Sequence, residues 1–157
     1  MKPILKTYLS ALVSLLLITL IVLFKPNDMN VSSGKQCNLD KERVCYFDTN
    51  QEQTQQVIVK FSGKVQVEEL NQLQVLLPAG YIIEKTWIQG INMYMGQIAV
   101  FADAESAQTS QSDEHHLQFF LGACSEPNMR WQLVLVTKKV SNQQPETFFI
   151  NFTTELS

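Results

Sequence analysis

Residues 130–137 read RWQLVLVT, and residues 146–153 read ETFFINFT. Both segments are short and rich in β-branched and aromatic residues, a composition that favours strands over helices. Comparable segments occur earlier in the chain, and Gly or Pro residues separate many of them. These earlier segments are VCYF (44–47), TQQVIVKF (54–61), LQVLL (73–77), YIIEKTWIQ (81–89), MYMGQIAVFA (93–102) and HLQFFL (116–121).

Strand candidates at this spacing predict a mostly β domain, and we expect a single antiparallel β-sandwich with immunoglobulin-like layering. The chain of 157 residues is long enough for one such domain, which we assign to residues 37–157. Within it, VEELNQLQ (67–74) could form a helical turn or two, and residues 102–115 are expected to be a polar loop.

The N-terminal part of the sequence predicts a membrane anchor. Residues 7–24, TYLSALVSLLLITLIVLF, contain no charge, Gly or Pro. As a helix they would reach roughly 27 Å, close to the thickness of the bilayer core. We therefore assign one transmembrane helix to residues 1–25 and a linker to residues 26–36. The alternative is a cleaved signal peptide, for which Val31-Ser32-Ser33 is the candidate cleavage site.

Charge predicts the orientation of the anchor and excludes one class of partner. Lys2 and Lys6 precede the apolar run and Lys25 follows it, so the positive-inside rule keeps the N-terminus in the cytoplasm. The expected location is the bacterial inner membrane, crossed once, with the C-terminal domain in the periplasm. From Pro26 onward nine Lys and Arg residues stand against fifteen Asp and Glu residues. Such an acidic domain is a poor nucleic-acid binder.

Three cysteines suggest one disulfide in an oxidising compartment. Cys37 and Cys45 enclose a short polar loop, and we predict that they pair. A redox pair or a thiolate metal site is the alternative, although the spacing does not match the C-x-x-C redox motif. Cys124 then remains as a thiol that is either buried and inert or available to a ligand.

Methionines form the second chemical signal. Met93 and Met95 are two residues apart on a predicted strand and would share one face. Thioether and thiolate sulfur are soft donors that select Cu(I), and imidazoles could add further ligands. In the alternative interpretation the methionines fill the core and the histidines lie in a solvated loop. The candidate metal ligands are Met93, Met95, Cys124, Met129, His115 and His116.

The aromatic residues and one arginine give a candidate binding surface. It consists of Trp87, Tyr94, Arg130 and Trp131, a composition common in interface hot spots. An exposed ion pair between Arg130 and Glu126 is the alternative role for the arginine. The sequence contains no H-E-x-x-H, G-x-S-x-G, P-loop or dinucleotide motif, and we expect a protein that is not an enzyme.

A short N-terminal anchor, a small exported β-domain and the Met93/Met95 face resemble the layout of membrane-anchored accessory proteins of respiratory-oxidase and copper assembly. FixH-like proteins and periplasmic copper chaperones are the comparison, although the longer His/Met pattern of those chaperones is missing here. The resemblance implies an accessory or assembly factor that acts beside a membrane complex and binds Cu(I). The alternative is a metal-free interaction module that docks to an envelope or inner-membrane protein through its sheet.

Overall fold

A computed structural model describes residues 12, 16, 19, 34–49, 55–102, 113–141 and 143–155 of the chain. The chain divides into two compact units, Met1–Val31 and Ser32–Ser157. In the first unit Leu12, Leu16 and Thr19 are helical, and the rest of the predicted anchor (1–25) lies outside the described residues. No helix within the described ranges combines the length and the apolar character needed to cross a membrane.

In the second unit the described residues form nine strands. They are β1 (Lys35–Asn38), β2 (Cys45–Asp48), β3 (Gln56–Phe61), β4 (Leu70–Leu76), β5 (Tyr81–Gly90), β6 (Gln97–Ala102), β7 (Glu114–Phe120), β8 (Asn128–Lys139) and β9 (Pro145–Glu155). Each of the eight predicted strand segments corresponds to one of β2 to β9. Strand β1 is an addition, and it begins inside the predicted linker (26–36).

Alternation between buried and exposed side chains explains why these segments are strands. In β4 the side chains of Asn71, Leu73 and Val75 are buried, while their neighbours face outward. The helical turns considered for residues 67–74 are therefore wrong from Leu70 onward, because a period of two in burial matches a pleated strand.

All nine strands belong to one continuous sheet in the order β1-β9-β8-β5-β6-β7-β4-β3-β2. Strand β1 runs parallel to β9, and the other neighbouring pairs are antiparallel. The first half of β6 pairs with β5 and its second half pairs with β7, so β6 connects the two halves of the sheet. The mostly β prediction is confirmed, whereas a sandwich of two separate sheets is not.

The two edges of this sheet, β1 and β2, approach each other and make it nearly barrel-shaped. The predicted disulfide between Cys37 and Cys45 is present and joins these edges, with 5.9 Å between the Cα atoms. Lys35 also donates a hydrogen bond across the seam to the carbonyl oxygen of Asp48. We call the line along which β1 faces β2 the seam.

The inward side chains of both halves fill the interior. Phe47 of β2 packs against Phe148 of β9 with ring centroids 4.9 Å apart. Phe61 of β3 meets Phe152 of β9 edge-on at the same distance. Through these ring contacts β9 packs against β2 and β3 across the interior. The core between the two halves is therefore largely apolar.

Candidate functional site

Met93 and Met95 lie in the β5–β6 loop (residues 91–96), and not on a strand as the sequence predicted, because β6 begins only at Gln97. Both methionines are half-buried and pack against the core. Tyr94 between them is 93% exposed. The inward, outward, inward alternation expected of a strand is thus kept inside the loop.

Asn92 fixes this loop to strand β8. Its side-chain Nδ2 donates to the carbonyl oxygen of Asn128 at 3.0 Å, and its Oδ1 accepts from the backbone nitrogen of Arg130 at 2.8 Å. The backbone nitrogen of Ile91 also donates to the carbonyl oxygen of Arg130 at 2.8 Å. Because the amide side chain continues the β5–β8 hydrogen bonding, the loop is held in one place. Sequence reasoning did not find Asn92, since its role depends on strand pairing.

Met129 is 1% exposed and faces inward near the start of β8. Its side chain and the β5–β6 loop both approach Gly90. A Cβ atom on Gly90 would lie 2.4 Å from Met129 Cε and 2.1 Å from the carbonyl oxygen of Met93. Glycine at this position therefore allows the Met93 backbone and the Met129 side chain to meet at the same point.

Cys124 lies in the segment 121–127, which connects the end of β7 to the start of β8. Its side chain is half-buried against the same core, and it is not part of a disulfide. Its Sγ donates to the carbonyl oxygen of Glu126 at 3.6 Å. We use the name methionine end for the loop 91–96, the segment 121–127 and residues 128–130. Three thioethers and one thiol lie at this end of the sheet, on two stretches of the chain (91–96 and 121–130).

The two histidines lie at the opposite end of β7. His115 pairs with Val75, and His116 pairs with Gln74. From His115 to Leu121, where the methionine end begins, six residues of strand span about 20 Å. The structure therefore does not bring the histidines to the sulfur atoms. They also lie on a strand and not in a loop, and His116 Nε2 is 3.4 Å from Glu114 Oε1.

Only some residues of the predicted binding surface are exposed. Trp131 is fully buried and donates from Nε1 to Thr154 Oγ1 at 2.9 Å. Tyr94 and Arg130 are exposed, whereas Trp87 is half-buried on the outer face of β5. Among the described ion pairs there is none between Arg130 and Glu126. Trp131 belongs to the core because inward positions alternate along β8.

A row of side-chain amides crosses the outer face beside Trp87. Trp87 Nε1 donates to Gln89 Oε1 at 3.1 Å, Gln89 Nε2 donates to Gln132 Oε1 at 3.1 Å, and Gln132 Nε2 donates to Asn151 Oδ1 at 3.0 Å. Gln89, Gln132 and Asn151 are register partners on β5, β8 and β9. The row fixes the position of the Trp87 indole. It could not be predicted from the sequence, because its members come from three strands that are far apart along the chain.

The other half of the sheet has an exposed apolar patch. Leu70 of β4 and Phe120 of β7 are register partners and are 57% and 50% exposed. Phe101 of β6, 48% exposed, lies opposite Gln118 on the other side of β7. Three large apolar side chains on three neighbouring strands are a surface of the kind that partner proteins cover.

The residues that could hold a soft metal are therefore Met93, Met95, Met129 and Cys124. In the part of the chain that the structure describes, no group of three or more His, Cys, Asp and Glu side chains is placed to hold a metal ion. Comparisons with models of protein families, with curated proteins and with solved structures gave no match to this chain.

Proposed function

We propose that this chain is a membrane-tethered accessory protein of the bacterial periplasm that binds Cu(I) at its methionine end. The observation that carries the proposal is the location of three thioethers and one thiol at the same end of the sheet. Neutral thioethers and a thiolate match the soft-ligand preference of Cu(I). The apolar run at residues 7–24 supports the tether.

Each sulfur ligand has a distinct role in this proposal. Met93 and Met95 are half-buried in a surface loop and can reach an incoming ion. Met129, which is 1% exposed, would supply a ligand from the core side. Cys124 would bind as a thiolate, so that metal binding releases its proton.

A Cu(I) competition titration of the full chain in lipid nanodiscs tests the proposal, with ascorbate to keep the copper reduced. We expect the chain to withdraw one equivalent of copper from a chromophoric chelator. The double substitution Met93→Leu/Met95→Leu should weaken this affinity at least about tenfold, because leucine keeps the apolar volume and removes the donors. Ile91→Leu is the matched control, since it changes an apolar side chain of the same loop and removes no sulfur donor.

Proton release provides a second readout. The native chain should release more protons per copper bound than Cys124→Ser, because a coordinating thiol loses its proton. A chain that fails to compete even in excess, or a Met93→Leu/Met95→Leu variant that binds as the native chain does, would contradict the copper proposal.

A second candidate function is a metal-free interaction module, favoured by the exposed patch of Leu70, Phe101 and Phe120. Photo-crosslinking from position 120 in intact cells distinguishes the two functions. A single crosslinked membrane protein that persists in copper-depleted medium would support docking without metal. A crosslink that appears only when copper is present would tie the patch to the metal function.

A further inference from the structure

A cleft of about 310 Å³ opens at one end of the seam. It exists because the edge strands are shorter than their neighbours. Strand β1 ends at Asn38, opposite Asn151, whereas β9 continues to Glu155. Strand β2 begins at Cys45, opposite Val59, whereas β3 continues to Phe61. Past the disulfide, the ends of β9 and β3 therefore lack a strand between them.

The floor of this seam cleft is apolar. Phe61 and Phe152 form it with their edge-on ring contact at 4.9 Å, and Leu39 and Val65 line its sides. Phe152 is 3% exposed, while Phe61 and the two aliphatic side chains are half-buried. Such a floor accepts a large apolar side chain, because the neighbouring atoms are already largely removed from water.

The wall formed by β9 is an open strand edge. The carbonyl oxygen of Asn151 accepts from the backbone nitrogen of Leu39 at 2.9 Å, which is the last backbone bond that the described residues make on this side. The backbone nitrogen of Thr153 donates to Asp40 Oδ1 at 2.9 Å, so a side chain there replaces the missing strand. By the two-residue alternation of strands, the carbonyl oxygen of Thr153 and the nitrogen of Glu155 face the same way.

Charge at the rim favours a cation. Asp40 and Glu155 contribute two carboxylates, and Lys64 contributes one ammonium group. Thr153 Oγ1 also donates to Asp40 Oδ1, at 3.0 Å, and both bonds to Asp40 use that one oxygen. The described residues make no hydrogen bond to the Oδ2 atom of Asp40, so this oxygen can accept from a ligand.

We propose that the seam cleft binds an extended segment of a partner protein in which a large apolar residue is followed by Lys or Arg. The peptide backbone continues the sheet along the end of β9, in the manner of strand addition. Its apolar side chain rests on Phe61 and Phe152, and its cation meets Asp40 and Glu155. This inference is independent of copper binding at the methionine end.

The probe is a fluorescein-labelled peptide of sequence Thr-Val-Phe-Lys-Val-Thr, titrated with the full chain in lipid nanodiscs. Fluorescence polarisation should show saturable binding. Replacing Phe by Ala, or Lys by norleucine, should weaken binding about tenfold each, which corresponds to about 1.4 kcal/mol. N-methylation of the backbone nitrogen that faces β9 should abolish binding, whereas methylation of the next nitrogen should have little effect.

Two variants of the protein locate the site. Gly63 lines the cleft, and a Cβ on it would meet no atom within 4 Å, so Gly63→Phe should fold and fill the opening. Gly122→Phe is the matched control in another loop with the same open space. The pair Asp40→Asn/Glu155→Gln keeps the acceptor for Thr153 and removes the charge. It should weaken binding of the Lys peptide about tenfold and leave the norleucine peptide unchanged.

Absence of saturable binding would overturn the inference, as would equal binding by the native chain and Gly63→Phe. Binding that survives N-methylation at the nitrogen facing β9 would overturn the strand addition. Because the methionine end contributes no atoms to the cleft, Gly63→Phe should retain its Cu(I) affinity, and Met93→Leu/Met95→Leu should retain peptide binding. Failure of one proposal is therefore distinguishable from failure of the other.

Discussion

At His115, burial and a neighbouring charge shift the pKa of the imidazole in opposite directions. Its side chain faces the interior at the start of β7, where Val75 is its register partner. Burial lowers the pKa of its imidazole from the ordinary value of 6.5, and the carboxylate of Asp113 partly opposes this by raising it. The balance is a depressed pKa, because removal from water disfavours the charged imidazolium.

This depressed pKa predicts a pH-dependent stability. Below about pH 6.5 the unfolded chain binds a proton at His115 before the folded chain does, so stability falls as the pH drops through that window. Urea unfolding midpoints measured between pH 5 and pH 8 should show the slope for the native chain. His115→Gln should flatten it, and His116→Gln on the same strand is the matched control. An unchanged slope in His115→Gln would exclude the histidine as its source.

Among the elements, β1 depends most on a covalent bond. It has only four residues and forms strand pairing with β9 alone. Its other neighbour, β2, is the opposite edge of the sheet and faces β1 across the seam without strand pairing. The disulfide between Cys37 and Cys45 fixes β1 to that edge. The long neighbours β8 and β9, by contrast, pair along eleven positions and are further linked through the Gln132 amide.

Removal of this disulfide should therefore affect β1 locally as well as lowering global stability. For a loop of this length Cys37→Ser/Cys45→Ser should lower the free energy of unfolding by about 2–3 kcal/mol. Hydrogen exchange should accelerate at the amides of residues 36–38 and remain slow in β8. Cys124→Ser, which removes the one thiol outside the disulfide, serves as the control. Protection of β1 that persists in the double variant would show that packing alone holds the strand.

At the scale of the whole molecule, the sheet has three regions for chemistry and binding, two of which are neighbours because Asn128 and Arg130 pair with Glu155 and Thr153. The methionine end gathers sulfur, the seam cleft combines an open strand edge with two carboxylates, and the outer face of β4, β7 and β6 exposes apolar side chains. The domain beyond Pro26 is acidic overall, with fifteen Asp and Glu against nine Lys and Arg residues. A basic partner segment is therefore favoured over an acidic one.

The membrane tether is tested on the whole chain expressed in a Gram-negative host. We expect the full chain to remain with the membranes in alkaline carbonate, because an apolar run of this length favours the bilayer core. A variant that begins at Pro26 and follows a cleavable export signal should appear in the soluble periplasmic fraction. Protease added to spheroplasts should digest the domain and leave a cytoplasmic marker intact. Protection of the domain from the protease would reverse the predicted orientation.

The sequence by itself determined that the domain is built of strands, and it identified eight of the nine. Periodicity and β-branched composition carry that information, because each strand's inner face is defined locally. It also predicted the Cys37–Cys45 bond, because these two cysteines enclose a short loop, but three cysteines allow three pairings and the structure decided among them. Strand β1 was missed because KQCN has no apolar alternation, and its pairing with β9 depends on residues more than a hundred positions away.

Only the tertiary structure decided which residues meet. The sequence placed six candidate ligands in one site, but the length of β7 separates His115 and His116 from the sulfur atoms. It placed Trp131 on a surface, whereas the inward position of this residue on β8 buries it. The seam cleft, the hydrogen bonds that Asn92 makes to β8 and the row of side-chain amides could not be predicted from the sequence either. Each arises where strands distant in the chain are aligned, and that alignment is fixed by the packing of the whole core.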